Sequence, residues 1–515
     1  MLSFDEDWRR CRALYLQHEN PEGFALRDTL YSAYLHLSAG ECAMGNRLIE
    51  NAPYAFCPYS GLPAVQLLSG GPALSEAAGN RLLDFLEKSR KDWMAELKNR
   101  RFNSYGLLAI VSLAGCGVYL ADKEAAAAAE SALIELNEKS GRFDLPDEYL
   151  SPFYTALQLA SAVQLRLLPV APDIRQLAGE MERYIWKGVL RHALKGMPEP
   201  AGPYSRAYTS ELAGHFQAIS AVLRRLLQED AGYTLSDTIF SDAYAEKIVP
   251  HGTIDNMRLY ALYFSAFPYQ CAKSDLNAWR GREYPLCLHE RVHSPASRDV
   301  SISREKSDCS TPMCYKESET NLTTWLENDF SVGISEVEYE NGMACSALHF
   351  LYRKNGETKS VFFKLARDDR YIGEFNDYPQ LGLRLSASNF PDDGRKTTGE
   401  TKDGLLLRYT PRAFLRGAGQ FKLSVIFPCH FSRPDAVRIG GEAVTKWDGE
   451  AHYALDRAVV SDAGRLFSFT PLAGKGYLKV MLRNNFLNLE WVQNEARFED
   501  YGWTLLINAE KQTKE

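Results

Sequence analysis

What this 515-residue chain lacks narrows it first. No apolar stretch approaches the roughly 20 uninterrupted residues of a membrane-spanning helix, and the N-terminus, MLSFDEDWRRC, is charged where a signal peptide needs a basic end and an apolar run. The chain is therefore expected in the cytoplasm, with no membrane partner. Ten cysteines are scattered without repeated CxxC spacing, which argues against a zinc site or a disulfide framework. Basic residues are not in excess: 59 Lys and Arg stand against 66 Asp and Glu, a formal charge of −7, and no basic run is present. Nucleic acid is thereby excluded as the main partner, since a phosphate backbone requires a basic stripe. An acidic sugar held by one or two arginines remains compatible. The chain also has no GxGxxG after a strand, no GxxxxGK[ST], no HExxH and no GxSxG. Nucleotide-dependent and α/β-hydrolase chemistries have no motif here, and no cofactor is implied.

What is present falls into two halves. Apolar residues at three- and four-residue spacing predict helices over 24–37, 75–97, 104–120, 124–137, 150–168, 174–194, 208–227 and 254–264. Linkers such as 140–149 and 195–204 carry the Gly, Pro and Asp that end one helix and begin the next. Beyond about Pro285 the pattern becomes short alternating runs such as LTTWLE, FSVGISEVEY, CSALHFLYR and FKLSVIF. Asn341-Gly342, Asn355-Gly356 and Asp393-Gly394 supply turn signals between them. Helices followed by antiparallel strands predict two modules: an incomplete (α/α) toroid of helical hairpins over 1–284 and an antiparallel β-sandwich over 285–515.

The densest polar chemistry lies in AGPYSRAYTSELAGH, 201–215. If a helix begins at Tyr204, then Tyr204, Tyr208, Glu211 and His215 share one face, with Glu211 placed to orient His215 or to form an ordinary surface ion pair with it. Arg206 would then point away from that face, unless the helix begins nearer Tyr208. Asn103 precedes an apolar helix, where it is either a ligand for substrate or an N-cap. His251 opens another helix, and Trp279 and Trp325 near the module junction suit stacking on sugar rings. Spacings compatible with a metal, Cys309/Cys314 and His289/His293, are isolated, and no metal is assigned.

The layout resembles that of polysaccharide lyases of the chondroitin, hyaluronate, alginate and heparinase type. Asn103 in RFNSYG, Tyr154 in SPFYTALQLASA and Arg206 in GPYSRAY are similar, in type and order, to the lyase Asn, Tyr and Arg. TTWLENDFSVG (323–333) is similar to the start of the sandwich in heparinase-like proteins. The resemblance implies β-elimination from a uronate-containing, acidic oligo- or polysaccharide. Asn103 and Arg206 would neutralise the carboxylate, Tyr154 or Tyr208 would act as acid/base, and His215 would assist. Tyr149, Tyr204, Glu211, His251, Trp279 and Trp325 would contact the sugar.

One departure is plain. DLPDEYLSPFY lacks the His that usually precedes the lyase Tyr, so the base is His215, His251 or a tyrosine, or the activity is not that of a lyase. YLSPFY and AGPYSRAY also resemble a pattern in bacterial and fungal proteins without an assigned reaction. Two alternatives stand beside the lyase reading. One is a glycoside hydrolase using paired carboxylates from among Asp144, Asp147, Glu148 and Glu211. The other is a non-catalytic saccharide-binding or scaffold protein.

Overall fold

The computed structural model describes residues 3–70, 73–98, 102–195, 197–206, 216–240, 254–294, 318–337, 348–368, 370–371, 395–401, 404–410, 419–429, 433–445, 449–483, 486–494 and 502–511. The chain is helical in its N-terminal half and built of antiparallel sheets in its C-terminal half. It divides into two compact units, Met1–Pro200 with Ala213–Glu283, and Ala201–Leu212 with Tyr284–Glu515. Among the described residues no helix is long and apolar enough to cross a membrane.

In the first unit, local chemistry sets the helix starts. Ser3 and Glu6 form a reciprocal capping box for α1 (Phe4–His18). Helices α2 (Leu26–Ser38), α3 (Cys42–Asn51) and α4 (Gly61–Gly70) follow. Ser75 caps α5 (Glu76–Leu97), Asn103 caps α6 (Ser104–Tyr119) and Asp122 caps α7 (Lys123–Ser140), each accepting a backbone N–H of the first turn. Then come α8 (Tyr154–Leu167), α9 (Pro172–His192), α10 (Phe216–Leu227), α11 (Leu235–Ile239), α12 (Ile254–Ser265) and α13 (Lys273–Arg280). Helices α6 and α8 are apolar nearly all round and buried along most of their length, which makes them the centre of the unit. The first and last parts of the unit meet: the Trp8 indole donates to the Leu262 carbonyl at 3.0 Å, and the buried Asp7 carboxylate accepts the Leu235 N–H at the start of α11.

His36, buried on α2, lies between two carboxylates, with Nε2 2.9 Å from Glu19 and Nδ1 2.6 Å from Glu41. Burial opposes its charge, but the hydrogen bonds to Glu19 and Glu41 outweigh burial and raise its pKa. A raised folded-state value means the imidazolium stabilises the fold fully below the unfolded pKa of about 6.5 and progressively less as pH rises through the higher folded value. Thermal melts of wild type and His36→Gln should therefore differ most at mildly acidic pH and converge at alkaline pH. A difference independent of pH would contradict the clamp.

The second unit contains β1 (Leu286–Ser294), β2 (Ser318–Leu326), β3 (Phe330–Ser335), β4 (Leu348–Lys354), β5 (Glu357–Arg367), β6 (Arg370–Tyr371), β7 (Arg395–Thr401), β8 (Gly404–Thr410) and β9 (Phe421–Pro428). These are followed by β10 (Ala436–Ile439), β11 (Glu442–Ala443), β12 (Gly449–Ala454), β13 (Ala458–Asp462), β14 (Arg465–Ala473), β15 (Tyr477–Arg483), β16 (Phe486–Gln493) and β17 (Trp503–Lys511). Among the described residues one sheet runs β1-β2-β3-β4-β5-β9-β16-β15-β12, with β6 on β5, and the other runs β11-β10-β13-β14-β17-β8-β7. Phe330, Phe350 and Trp491 of the first sheet share a single core with Phe467, Phe469 and Trp503 of the second. The expected turn at Asn355-Gly356 joins β4 to β5, both residues having positive φ (53° and 83°), as a two-residue hairpin demands.

The segment 201–206 departs from expectation. It is buried and non-helical, bridged at Tyr204 and bent at Ser205 and Arg206, and helix is described only from Phe216. Pro203 has no N–H to give a helix, and the Gly202 carbonyl instead accepts the Thr324 hydroxyl at 2.9 Å. Gly333 of β3 is needed here, because a Cβ would lie 2.1 Å from the Gly202 carbonyl carbon. Tyr204 stands edge-on to His349 of β4, with centroids 4.9 Å apart. The segment thus lies on the β2–β4 face that carries Thr324, Gly333 and His349. Of the face expected from a helix at Tyr204, Tyr208, Glu211 and His215 lie outside the described residues.

Candidate functional site

Several element starts of the first unit come together. Arg27 and Asp28 open α2, Tyr59 sits in a 3₁₀ turn (Pro58–Ser60), Tyr105 is the second residue of α6, Tyr154 is the first of α8, and Tyr260 comes from α12. The Tyr59 hydroxyl donates to the Tyr105 oxygen at 2.7 Å. The Tyr59 ring lies 6.3 Å from that of Tyr154 and 5.5 Å from the Arg27 guanidinium carbon, which also lies 4.6 Å from the Tyr260 centroid. Arg27 Nε donates to Asp28 at 2.8 Å, its Nη2 donates to the Tyr260 hydroxyl, and Tyr260 donates to the same Asp28 oxygen at 2.8 Å.

Electrostatics assign these groups different states. Burial disfavours the charge on Arg27, yet Tyr260 and Asp28 more than restore it, so the guanidinium is firmly cationic. Burial, with the Asp28 charge, pushes Tyr260 up and keeps it a protonated donor. The Arg27 side chain is 22% exposed. The cluster therefore combines a fixed cation with phenols that are partly accessible at Tyr59 and Tyr105.

The loop before α8 holds the start of α6. Phe102 N–H donates to Asp147 at 3.1 Å, Ser104 N–H to Glu148 at 2.8 Å and Gly106 N–H to Asn103 Oδ1 at 3.0 Å. Carboxylates at a helix N-terminus satisfy its open N–H groups and oppose its positive end. Asp147 also receives Lys139 Nζ at 2.7 Å. Leu150, with φ +49°, turns the chain sharply between Glu148 and Tyr154. Asn103 thus spends its oxygen on its own helix. Asn103→Ala is expected to cost about 1 kcal/mol in denaturant unfolding, and Asn103→Ser only a few tenths. Equal losses from both would contradict the cap.

The remaining expected residues are distributed as follows. Tyr149 is buried beside this loop, and Trp279 is buried in the first unit with its indole N–H on the Ala193 carbonyl at 3.1 Å. Neither presents an open stacking face. Tyr204 and Arg206 are buried in the second unit, and Trp325 on β2 is half-buried there. Tyr208, Glu211, His215 and His251 lie outside the described residues. His289 and His293 share a β-strand, so four residues separate them by about 13 Å and the helical metal spacing does not form. Among the described residues no group of three or more His, Cys, Asp or Glu could hold a metal ion. Sequence reasoning passed over Arg27, Tyr59, Tyr105 and Tyr260. The only local signals were Arg-Asp at a helix start in ALRDTLY and the phenol two residues after Asn103 in RFNSYG.

No family model matches the chain, and no curated protein matches it. Among solved structures, a mutant of the heparan sulfate lyase HepC from Pedobacter heparinus aligns with 99% of this chain and 76% of its own, at 10% identity and a TM-score of 0.32.

Proposed function

We propose that this is a carbohydrate-active protein, a polysaccharide lyase that cleaves a uronate-containing glycan by β-elimination at the phenol–guanidinium cluster of its helical unit. The observation that carries this reading is the hydrogen-bonded pair Tyr59–Tyr105 beside the fixed cation of Arg27, with Tyr154 adjacent. Eliminating a uronate requires neutralising its carboxylate, removing the weakly acidic proton next to it and returning a proton to the departing oxygen. Arg27 supplies the charge-assisted donors for the carboxylate. Tyr105 is the acid/base group: negative charge that develops on its oxygen meets the Tyr59 O–H already directed at it. Tyr154 lines the same cluster and keeps its proposed acid/base part. His215, which falls in the same unit, keeps its proposed part as an assisting base, and His251 its part as a sugar contact.

Hydrolysis by paired carboxylates is less well supported, because Asp147 and Glu148 are committed to the α6 N-terminus and Asp28 to Arg27 and Tyr260. The test is incubation with heparan sulfate, chondroitin, hyaluronate and alginate, read by the ultraviolet absorbance of an unsaturated uronate. A rise supports elimination. New reducing ends without that absorbance would replace it with hydrolysis, and binding without cleavage would leave a saccharide-binding protein.

A further inference from the structure

A cavity of about 240 Å³ opens within the second unit, between the β1–β4 end of one sheet and β7, β8 and β17 of the other. Its floor is hydrocarbon: Phe330, Phe350 and Ile507 are 2%, 0% and 3% exposed, and Val332 and Ile334 are buried beside them. Its rim is polar and half-buried, with Cys287, Thr323, Trp325, Glu327 and Asn508. The alternation of a strand produces this division. Cys287 pairs with Trp325 and His289 with Thr323, while Trp325 and Thr323 pair in turn with Val332 and Ile334, so these side chains share one sheet face. The segment 201–206 occupies the opposite face.

The rim carries a nucleophile and a base. Cys287 Sγ lies 3.6 Å from His289 Nε2, and the Thr323 hydroxyl lies 3.5 Å from His289 Nδ1. A thiol whose proton an imidazole can accept, with that imidazole oriented through its other nitrogen, is the arrangement that activates cysteine. His289 is exposed. Burial pushes Cys11 and Cys116 up to about 12 and Cys429 up to about 11, which leaves them inert packing groups. Glu327 is also fixed, accepting the Trp325 indole N–H at 3.4 Å and Arg465 Nη2 at 3.0 Å, so the rim offers an oriented carboxylate and an amide around an apolar well.

We infer that this cavity binds a small amphipathic molecule, an apolar ring or branched chain bearing an electrophilic head, and that Cys287, with His289 as its base, captures the electrophile at the rim. The dimensions suit such a ligand: a dry cavity of about 150 Å³ accommodates benzene, and this one is larger. A sugar does not suit it, because hydroxyls set against Phe330, Val332 and Phe350 would lose their hydrogen bonds. The site is therefore separate from the glycan cluster and independent of the lyase reading. With a maleimide the step is a conjugate addition. The thiol proton passes to His289, the sulfur forms a bond to one alkene carbon as the C=C π bond breaks, and the proton returns to the neighbouring carbon.

The full-length protein is treated with N-methylmaleimide or N-benzylmaleimide, and labelling is resolved by peptide mapping against the exposed Cys42 in the same molecule. The benzyl-to-methyl rate ratio at Cys287 is expected to exceed that at Cys42 by about tenfold, the gain from burying a phenyl ring. Toluene should abolish the excess in the unmodified protein. Ile334→Trp, which fills the floor, should do the same if circular dichroism shows it folded. His289→Gln should slow labelling at neutral pH by about tenfold and converge with wild type at alkaline pH, where the thiol ionises unaided. Equal ratios at the two cysteines, or an excess unaffected by toluene, would overturn the binding site. An unchanged pH profile in His289→Gln would overturn the role of the imidazole.

Discussion

Tyr105→Phe is expected to lower kcat for formation of the unsaturated uronate by about 10² to 10⁴, the usual contribution of a positioned acid/base group, with little change in KM. The substitution removes one oxygen and keeps the ring beside Tyr59, and because both phenols are half-buried, water can satisfy the Tyr59 hydroxyl left behind. Its melting temperature should therefore stay close to that of wild type, which separates lost chemistry from lost fold. Arg27→Lys completes the test. It keeps the positive charge beside Asp28 but removes the planar fork that grips a carboxylate, so kcat/KM should fall mainly through KM. Arg27→Ala is less informative, since it strips Asp28 of its cation and disturbs Tyr260 as well. Full activity in Tyr105→Phe would remove the phenol pair from the reaction and return Tyr154 or His215 to the role of acid/base.

Asp462→Ala should produce a large loss of stability, about 3 kcal/mol, the cost of removing the buried partner of a buried charge. Asp462 at the end of β13 receives the ammonium of Lys354 and, at 2.5 Å, the hydroxyl of Tyr352, and all three side chains are buried. Burial and the neighbouring Asp462 charge push Tyr352 well up, so it remains a donor. Removing the carboxylate takes the acceptor from the Tyr352 hydroxyl and leaves the Lys354 ammonium with the Arg433 carbonyl at 3.1 Å and the more exposed Asp435 at 3.6 Å. Guanidinium unfolding followed by far-ultraviolet circular dichroism gives the loss directly. Replacing Lys354 and Asp462 together by Met and Leu should recover most of it, because the desolvation cost of the pair disappears with the charges. An Asp462→Ala midpoint equal to wild type would show that Lys354 is solvated and that the pair is superficial.

Much of the fold was legible in the chain. The expected helix over 75–97 forms as Glu76–Leu97 behind its Ser75 cap, and 254–264 forms as Ile254–Ser265. Alternation gave most of the strands, and Asn355-Gly356 marked its hairpin. Helices α1, α3, α4, α11 and α13 were missed, as were β6, β7, β10, β11, β12, β13, β16 and β1, whose HERVH carries a spacing that reads equally as helical. The site was legible only in part. Tyr154 and the α6 start were singled out; Asn103 caps its own helix, and Tyr105, two residues further on, pairs with Tyr59. Arg27 and Tyr260 are separated by 233 residues, and no spacing rule connects them.

Sequence by itself determined what depends on near neighbours: which segments are helix or strand, where caps and turns fall, and the order of helices before sheets. These follow from periodicity, backbone sterics and local hydrogen bonds, all of which act over a few residues. Tertiary structure alone decided that 201–206 lies without helix on β2–β4, that Tyr59, Tyr105, Tyr154 and Arg27 become neighbours, and that the β unit keeps an apolar well behind Cys287. Each is a contact between residues distant in the chain, and which distant groups meet is settled by how whole elements bury their faces.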